Sequence, residues 1–184
     1  MTPILGIMAS AISGNLWAPG KDYDSIATVT VGPGGAIEAA FTSIPSTYKH
    51  LQVRMLVRST TTNGDVRLFV NTSLFSARRH TLSGDGGSIS AGSDTANSIA
   101  RQTQSSDAAS VFAVSIIDIL DYANTNKYKT IRQLGGFDLD GSGAINLASQ
   151  LIQDTAAISA LSVSPYNGTG SFAQYSHIAL YGVK

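Results

Sequence analysis

Alternation of apolar residues with mostly polar ones constrains this chain more than any other feature. Apolar residues occupy every second position of Leu51–Val57, and Val66–Val70 repeats the pattern. In an extended strand successive side chains point to opposite faces, so this period places one set of side chains on a buried face. A helix would need apolar residues three and four positions apart. Both segments are therefore predicted to be β-strands.

A third strong segment shows a different pattern. Val111–Leu120 is a largely apolar run with several β-branched residues, which is typical of a central strand covered on both sides. Weaker strands are predicted at Ile26–Val31, Ile37–Phe41, Leu74–Leu82, Tyr128–Phe137, Ala144–Leu151, Ile158–Val163 and Ser176–Val183.

Turn residues separate most of these segments. Gly32–Gly35 and Gly141–Gly143 each lie between two weaker strands. The tripeptide Asn63-Gly64-Asp65 separates the two alternating strands and predicts a hairpin between them. Asp118–Asn124 and Leu16–Tyr23 are each compatible with one helical turn, but the sequence contains no long amphipathic helix.

Short strands at this spacing predict an all-β fold, a single antiparallel β-sandwich of jelly-roll-like type. The predicted domain spans residues 23–184, and residues 1–22 form an extended N-terminal arm. Gly84–Ala109 is polar, with Ile89 and Ile99 as its two large aliphatic residues. It is predicted to be a long loop, or a loop that holds a short hairpin, and loops of this length are often functional.

Charge and cysteine content exclude several classes of protein. The 12 acidic and 12 basic residues give a formal net charge of zero, so no nucleic-acid partner is predicted. Weak self-repulsion at low net charge favours association over a free monomer. The absence of cysteine excludes disulfides, thiolate zinc sites and cysteine nucleophiles.

The first eighteen residues are apolar and rich in small side chains. A secretory signal needs a positive residue before its apolar run, and the first cation is Lys21. Gly6 and Asn15, among others, make the segment too polar to span a bilayer, so no membrane insertion is predicted. The segment is predicted to be a docking arm. Its expected partner-binding residues are Ile4, Leu5, Ile7, Met8, Ile12, Leu16 and Trp17.

The motif nearest to a metal site is Asp138-Leu139-Asp140-Gly141-Ser142-Gly143-Ala144-Ile145. It matches the first eight positions of a calcium-binding EF-hand loop. The twelfth position, which should be a bidentate Glu, is Ser149, and no amphipathic helix flanks the loop. An ordinary hairpin turn explains the same residues, so no metal ligand is predicted.

Other chemical signatures are weak. None of His50, His80 and His177 has a second histidine at metal-ligand spacing, and surface or half-buried positions are expected for them. The sequence has no Gly-x-Ser-x-Gly elbow, Gly-x-Gly-x-x-Gly motif or Walker lysine. The Arg78-Arg79-His80 cluster is expected in a solvated turn or strand edge. We therefore predict a non-enzymatic protein with no catalytic residue and no cofactor.

Aromatic residues lie near the ends of the predicted strands. An aromatic ring with a polar tip can cap a β-sandwich core or form a rim that contacts carbohydrate or protein. Core packing is the commoner use. The residues concerned are Trp17, Tyr48, Tyr122, Tyr128, Tyr166, Phe172, Tyr175 and Tyr181.

Several phrases together resemble small structural proteins of tailed bacteriophages, labelled as virion or tail-fibre-like proteins. The resemblance covers nearly the whole chain and differs most in Gly84–Ala109. The phrases are MTPILGIM (1–8) with ASAISG (9–14), YDSIA (23–27), IPSTYKHLQ (44–52), IDILDYANTNK (117–127), FAQYS (172–176) and ALYGV (179–183).

The resemblance implies a structural protein located in the virion, without catalytic residues. It implies a tail-associated fibre or adaptor module, anchored by residues 1–18 to other virion proteins and contributing to host attachment. A homo-oligomer, specifically a trimer, is expected. Two alternatives stay open: a head decoration (cement) protein on the capsid lattice, and a lectin-like module that binds a host-surface glycan.

Overall fold

The computed structural model describes residues 22–73, 77–166 and 170–184. The predicted arm up to residue 21, with its seven partner-binding residues, lies outside the described residues. Twelve strands form within them. They are β1 (Tyr23–Thr30), β2 (Ala39–Phe41), β3 (His50–Val57), β4 (Asp65–Val70), β5 (Ala77–Gly84), β6 (Ile89–Asp94), β7 (Ser98–Arg101), β8 (Ala113–Leu120), β9 (Lys129–Asp138), β10 (Gly143–Ile152), β11 (Leu161–Pro165) and β12 (His177–Val183).

The strands form two antiparallel sheets, which confirms the all-β fold class. The larger sheet has eight strands in the order β1-β12-β3-β8-β9-β10-β5-β6. The smaller sheet has the order β2-β11-β4-β7. Every strand pair within each sheet is antiparallel. The chain therefore passes repeatedly from one sheet to the other.

The core lies between the two sheets, in a sandwich-like arrangement. β3 contributes Leu51, Val53, Met55 and Val57, the residues on one side of its alternating pattern, and all four are buried. β4 supplies its alternating set, Val66, Leu68 and Val70, from the smaller sheet. The period-two pattern of both strands is confirmed. Burial of apolar surface at this interface is the main driving force for joining the sheets.

The strand β8 corrects one prediction. Its inner residues Ile117 and Ile119 are fully buried, but Val114 is 54% exposed and Ile116 is 41% exposed. Within residues 22–73, 77–166 and 170–184, no element covers the outer face of β8, so the predicted coverage on both sides is not found there. The apolar run reflects two different faces, of which only one packs against the smaller sheet.

The hairpin predicted at Asn63-Gly64-Asp65 is also wrong. β3 pairs with β12 and β8, whereas β4 pairs with β11 and β7 in the other sheet. Asn63 Oδ1 does accept a hydrogen bond from Asp65 N at 3.0 Å, so the turn chemistry is real. The turn connects β3 of the larger sheet to β4 of the smaller sheet, because these two strands pack their apolar faces against each other across the core.

The polar stretch Gly84–Ala109 contains more structure than a loop. β6 pairs with β5, and β7 joins the smaller sheet beside β4. Arg79 contacts both strands. Its guanidinium donates two hydrogen bonds, of 3.0 and 2.6 Å, to the Asp94 carboxylate of β6, and a third, of 3.0 Å, to Ser98 O of β7. Arg58 is buried and donates to the carbonyls of Ser105, Asp107 and Ala108. Two arginines thus fix this segment in place.

Neither of the two helical turns considered is found within the described residues. β8 continues through Leu120, and Asp121 then adopts a φ of 50° in a turn closed by Asn124 N donating to Asp121 O at 3.0 Å. The other candidate, Leu16–Tyr23, lies largely outside the described residues, and its last residue begins β1.

Candidate interaction surface

The outer face of the larger sheet carries a continuous set of exposed apolar side chains. Strand register places them in two adjacent rows across the sheet. One row runs through Leu56, Val114, Gly136 and Ile145, and the next through Ile116, Leu134, Leu147 and Leu82. We call the following seven side chains, each 41–62% exposed, the apolar stripe: Leu56, Leu82, Val114, Ile116, Leu134, Ile145 and Leu147.

On two strands of the stripe, a polar side chain lies on the inner face while an apolar side chain is exposed on the outer face. On β9, Gln133 points inward and is 1% exposed, whereas its neighbour Leu134 is 53% exposed. On β10, Gln150 is likewise buried, whereas Leu147 is exposed. A soluble antiparallel sheet normally places its apolar residues on the core side and its polar residues in water. This outer face therefore exposes more apolar surface than the outer face of such a sheet usually does.

Hydrogen bonds keep the inward glutamines in place. Gln150 Nε2 donates to Ser98 O of β7 at 2.7 Å, which links the two sheets. Gln133 Nε2 donates to Ser115 Oγ at 3.3 Å. These bonds satisfy the Nε2 group of each amide, which would be costly to bury without a partner, whereas the buried Oε1 atom of each has no hydrogen-bond partner among the described residues.

Two adjacent glycines shape the middle of the stripe. A Cβ at Gly135 would lie 2.1 Å from Ser115 Oγ, and one at Gly136 would lie 2.2 Å from Ala144 O. Neither position has room for a side chain. On the outer face of the same strands lies a shallow groove of about 450 Å³, lined by apolar residues that include Val114, Leu134, Phe137 and Ile145.

Polar residues border the stripe in the next row across the sheet and, through Arg54 of β3, beside Ile116. Gln52 Nε2 donates to Asp118 Oδ1 at 2.7 Å, and Arg54 Nε donates to Gln52 Oε1 at 2.6 Å. The Arg54 guanidinium lies over the rings of Tyr23 and Tyr181, 5.1 and 4.8 Å from their centroids. Such cation–π contacts order a long side chain at a surface. We call Gln52, Asp118, Arg132, Ser149 and His80, which are register neighbours across the sheet, the polar band.

The EF-hand-like motif forms the turn between β9 and β10. Asp140 and Gly141 have φ of 58° and 106°, and Leu139 N donates to Ser142 O at 2.7 Å. Two central residues with positive φ define the tight hairpin turn that prefers Asp-Gly. Asp138 Oδ1 accepts a hydrogen bond from Asp140 N at 2.8 Å instead of pointing into a ligand cage. The hairpin interpretation accounts for the whole motif.

The histidines lie at the surface or partly buried, as expected. His50 Nδ1 accepts a hydrogen bond from Asp121 N at 2.9 Å, and His177 Nδ1 lies 3.0 Å from Thr30 Oγ1. His80 is exposed on β5. Within residues 22–73, 77–166 and 170–184, no three histidine, aspartate or glutamate side chains lie close enough to hold a metal ion.

The aromatic residues divide between core and surface. Tyr122 and Phe172 are fully buried, and the Tyr122 hydroxyl donates to Pro45 O. Burial raises the pKa of Tyr122. Tyr128 and Tyr175 are 49% and 69% exposed, and Tyr175 has a φ of 73°. Core packing therefore explains some of these residues, and the contact rim stays a prediction for the exposed ones.

The ionised groups with shifted pKa values serve the fold. Hydrogen bonding to Arg79 lowers the pKa of Asp94, and hydrogen bonding to Lys127 lowers that of Asp121. Lys129 is buried on the inner face, where its Nζ donates to Ala156 O at 2.6 Å. Desolvation lowers the pKa of this lysine. Each group closes a strand end or a turn.

Sequence reasoning missed the apolar stripe. Its members come from five strands, and each strand taken alone shows only one or two apolar residues at outward positions. The one available signal was the apolar run of β8, which indicates coverage on both sides. The partner-binding residues that were predicted, from Ile4 to Trp17, lie outside the described residues.

Among the residues that the structure describes, there is no helix that is long and apolar enough to cross a membrane.

Comparison with known proteins identifies no relative. No protein-family model matches the chain, and neither the curated proteins nor the solved structures include a significant match.

Proposed function

We propose that this chain is a non-enzymatic structural protein of a tailed-phage virion, acting as a tail-associated fibre or adaptor module. The apolar stripe on a rigid β domain is the observation that carries the proposal. A contiguous exposed apolar surface of this kind marks an interaction site. Assembly, not turnover of a substrate, is the function that such a surface serves.

The strand order supports a scaffold of the predicted jelly-roll type. β1-β12-β3-β8 and β2-β11-β4-β7 are two groups of four strands between which the chain alternates. We propose that these eight strands are a jelly roll, the architecture formed from two Greek keys. The hairpins β5–β6 and β9–β10 then widen one sheet. This widening creates most of the apolar stripe.

The virion setting rests on the resemblance of the quoted phrases, which span the arm, β3, β8 and β12. The formal net charge of zero is consistent with a subunit of a larger assembly, because electrostatic repulsion between like-charged copies would oppose assembly. In the proposal the N-terminal arm attaches the domain to its neighbours. The turns at the ends of the strands face outward and contribute to host attachment.

Counting copies per particle tests the proposal. Purified virions would be analysed by quantitative mass spectrometry against the major capsid protein. Copy numbers far below that of the capsid protein support a tail module. A number comparable to the capsid protein would instead support the alternative, a decoration protein on the capsid lattice. Absence from the particles would contradict both.

A further inference from the structure

Four of the described strands form the edges of the two sheets, and three of them carry features that oppose pairing with another chain. β1 contains a β-bulge between Ser25 and Ala27, and β2 is only three residues long. In β7, Ser98 O accepts hydrogen bonds from Gln150 and Arg79, two side chains of the larger sheet. Bulges, short strands and covering contacts are the means by which natural proteins keep sheet edges from associating.

The fourth edge strand, β6, has none of these features. It is six residues long, pairs with β5 without a register shift, and is exposed at every position. Its sequence, ISAGSD, contains no proline or lysine. Its one charged side chain, Asp94, is bound by Arg79 of the same copy. Among the described residues, β6 is therefore the edge that is open to a further strand.

The pairing of β5 with β6 determines which backbone groups of β6 face outward. In an antiparallel pair, residues that exchange hydrogen bonds with the partner alternate with residues whose N–H and C=O groups point away from it. At the turn, Asp85 N donates to Ser88 O at 3.2 Å, which fixes the phase of this alternation. The N–H and C=O groups of Ile89, Ala91 and Ser93 consequently point away from β5, at the edge of the sheet.

β6 also continues the rows of the outer face. Ala91 lies opposite Leu82, a member of the apolar stripe, and Ile89 lies opposite Gly84 in the row of Ile145. Ile89 is 82% exposed. The apolar surface of the larger sheet therefore extends to its open edge.

We propose that β6 pairs antiparallel with β6 of a second copy, about a two-fold axis at Ala91, so that one sheet continues through both copies. This inference rests on the proposed function, because it specifies a contact between copies within the proposed assembly. Ala91 faces its own equivalent, and Ile89 of each copy faces Ser93 of the other. The outward backbone groups of these residues then form about six hydrogen bonds across the axis.

A second copy matches this edge in symmetry and in charge. A two-fold axis brings identical surfaces together, and an antiparallel pair of identical strands has that symmetry. Residues 89–93 carry no charged side chain, so no like charges meet across the axis. On the outer face, the two Ala91 side chains join the Leu82 rows of both copies into one apolar row. Hydrogen bonding and apolar contact thus favour the same register.

A single cysteine tests this register, because the chain has none of its own. In a hydrogen-bonded antiparallel pair the two Cα atoms lie about 5.5 Å apart, a separation that a disulfide can bridge. Full-length Ala91→Cys, purified and mildly oxidised, should form a disulfide-linked dimer on a non-reducing gel, confirmed by mass spectrometry of the linked peptide. Leu82→Cys is the matched control on the same face, because in the proposed pair it lies three strand spacings, about 14 Å, from its equivalent.

The dimer yield of Ala91→Cys should exceed that of Leu82→Cys by at least about tenfold. Equal yields would overturn the edge contact, and a higher yield from Leu82→Cys would indicate that the copies meet face to face. The unsubstituted chain should sediment as a dimer, whereas a monomer, or the trimer that the resemblance implies, would contradict the two-fold pair. These measurements use the purified protein, so their failure leaves the count of copies in particles as an independent test of the virion proposal.

Lysine at the same two positions provides a second measurement. In full-length Ala91→Lys two ammonium groups lie directly opposite each other across the axis, which should weaken self-association by about tenfold or more. In Leu82→Lys the added charges are about 14 Å apart and screened by physiological salt, so self-association should change little. Sedimentation at equal concentration compares the variants, with circular dichroism to confirm that both keep their β-sheet. Equal weakening, or a larger loss for Leu82→Lys, would overturn the inference.

Discussion

The inner face of the eight-stranded sheet changes character from one part of the sheet to the next. Over β12, β3 and β8 it is buried and almost entirely apolar, with Ser115 as a polar member. Over β9 and β10 it mixes buried Gln133 and Gln150 with buried Ile131 and Ile152, and members of the apolar stripe lie on the outer face. The backbone is the same continuous antiparallel ladder throughout. Backbone hydrogen bonding between strands therefore forms the sheet, but the element packed against a face determines whether apolar or polar side chains lie there.

The largest contrast is expected between neighbouring residues of β8. Ile117→Ala should lower the free energy of unfolding by about 2–5 kcal/mol, because it leaves a cavity in a closed core. Ile116→Ala, one residue away on the outer face, should cost less than about 1 kcal/mol. Urea denaturation at low protein concentration would measure both. Equal costs would show that the outer face is as tightly packed as the inner one.

A second contrast concerns the close approach of strands at the stripe. Gly135→Ala should destabilise by about 1–3 kcal/mol, because its Cβ would overlap Ser115 Oγ and Val114 O and force β8 and β9 apart. Gly92→Ala on β6 is the control, since the nearest atom to its Cβ is Thr81 Oγ1 at 3.9 Å. Thermal unfolding of the two variants compares them. A loss at Gly92 as large as that at Gly135 would contradict the steric explanation.

The buried lysine of the inner face predicts a pH effect of smaller size. Desolvation lowers the pKa of Lys129 below its usual 10.5, so the unfolded chain binds more protons than the folded one between these two values. Stability contributed by this group should therefore rise with pH as 10.5 is approached from below. Unfolding measured between neutral pH and 10.5 should show a steeper rise for the wild type than for Lys129→Met. Parallel curves would remove Lys129 as the cause.

The smallest effect is expected at the polar border of the stripe. Arg54→Ala removes the cation–π contacts with Tyr23 and Tyr181 and should cost about 0.5–1 kcal/mol. Arg132→Ala, an exposed arginine on the same face, is the matched control and should be close to neutral. Chemical denaturation resolves the difference. If Arg132 proved the more costly, the polar band would matter more than the aromatic contacts.

Local patterns predicted the elements well where the period was clear. β3 and β4 were found within two residues of their predicted limits, and the Asp140-Gly141 turn formed the tight hairpin that its residues favour. The weaker strands were also found, shifted by a few residues at their ends. The sequence did not identify β6 and β7 as separate strands, because both lie in the polar stretch Gly84–Ala109. Their position depends on Arg79, a contact between residues far apart in sequence.

Pairing and packing could not be predicted in the same way. The turn at Asn63 has hairpin chemistry, yet it joins strands of different sheets, because the apolar sides of β3 and β4 satisfy each other across the core. The apolar stripe escaped prediction for a related reason. Its side chains are brought together only by register across five strands, and register depends on every pair in the sheet.

The sequence by itself determined that this chain is all-β, where most strands run and which turns are tight, because these follow from period two and from local backbone preferences. For β3 and β4 the alternation also identified the inner face, but only the tertiary structure decided which face of β9 and β10 is inside. Alternation separates Gln133 from Leu134, but it does not say which of them meets the smaller sheet. That choice depends on what packs above and below, and here it buries the amide and leaves the leucine exposed on the outer face.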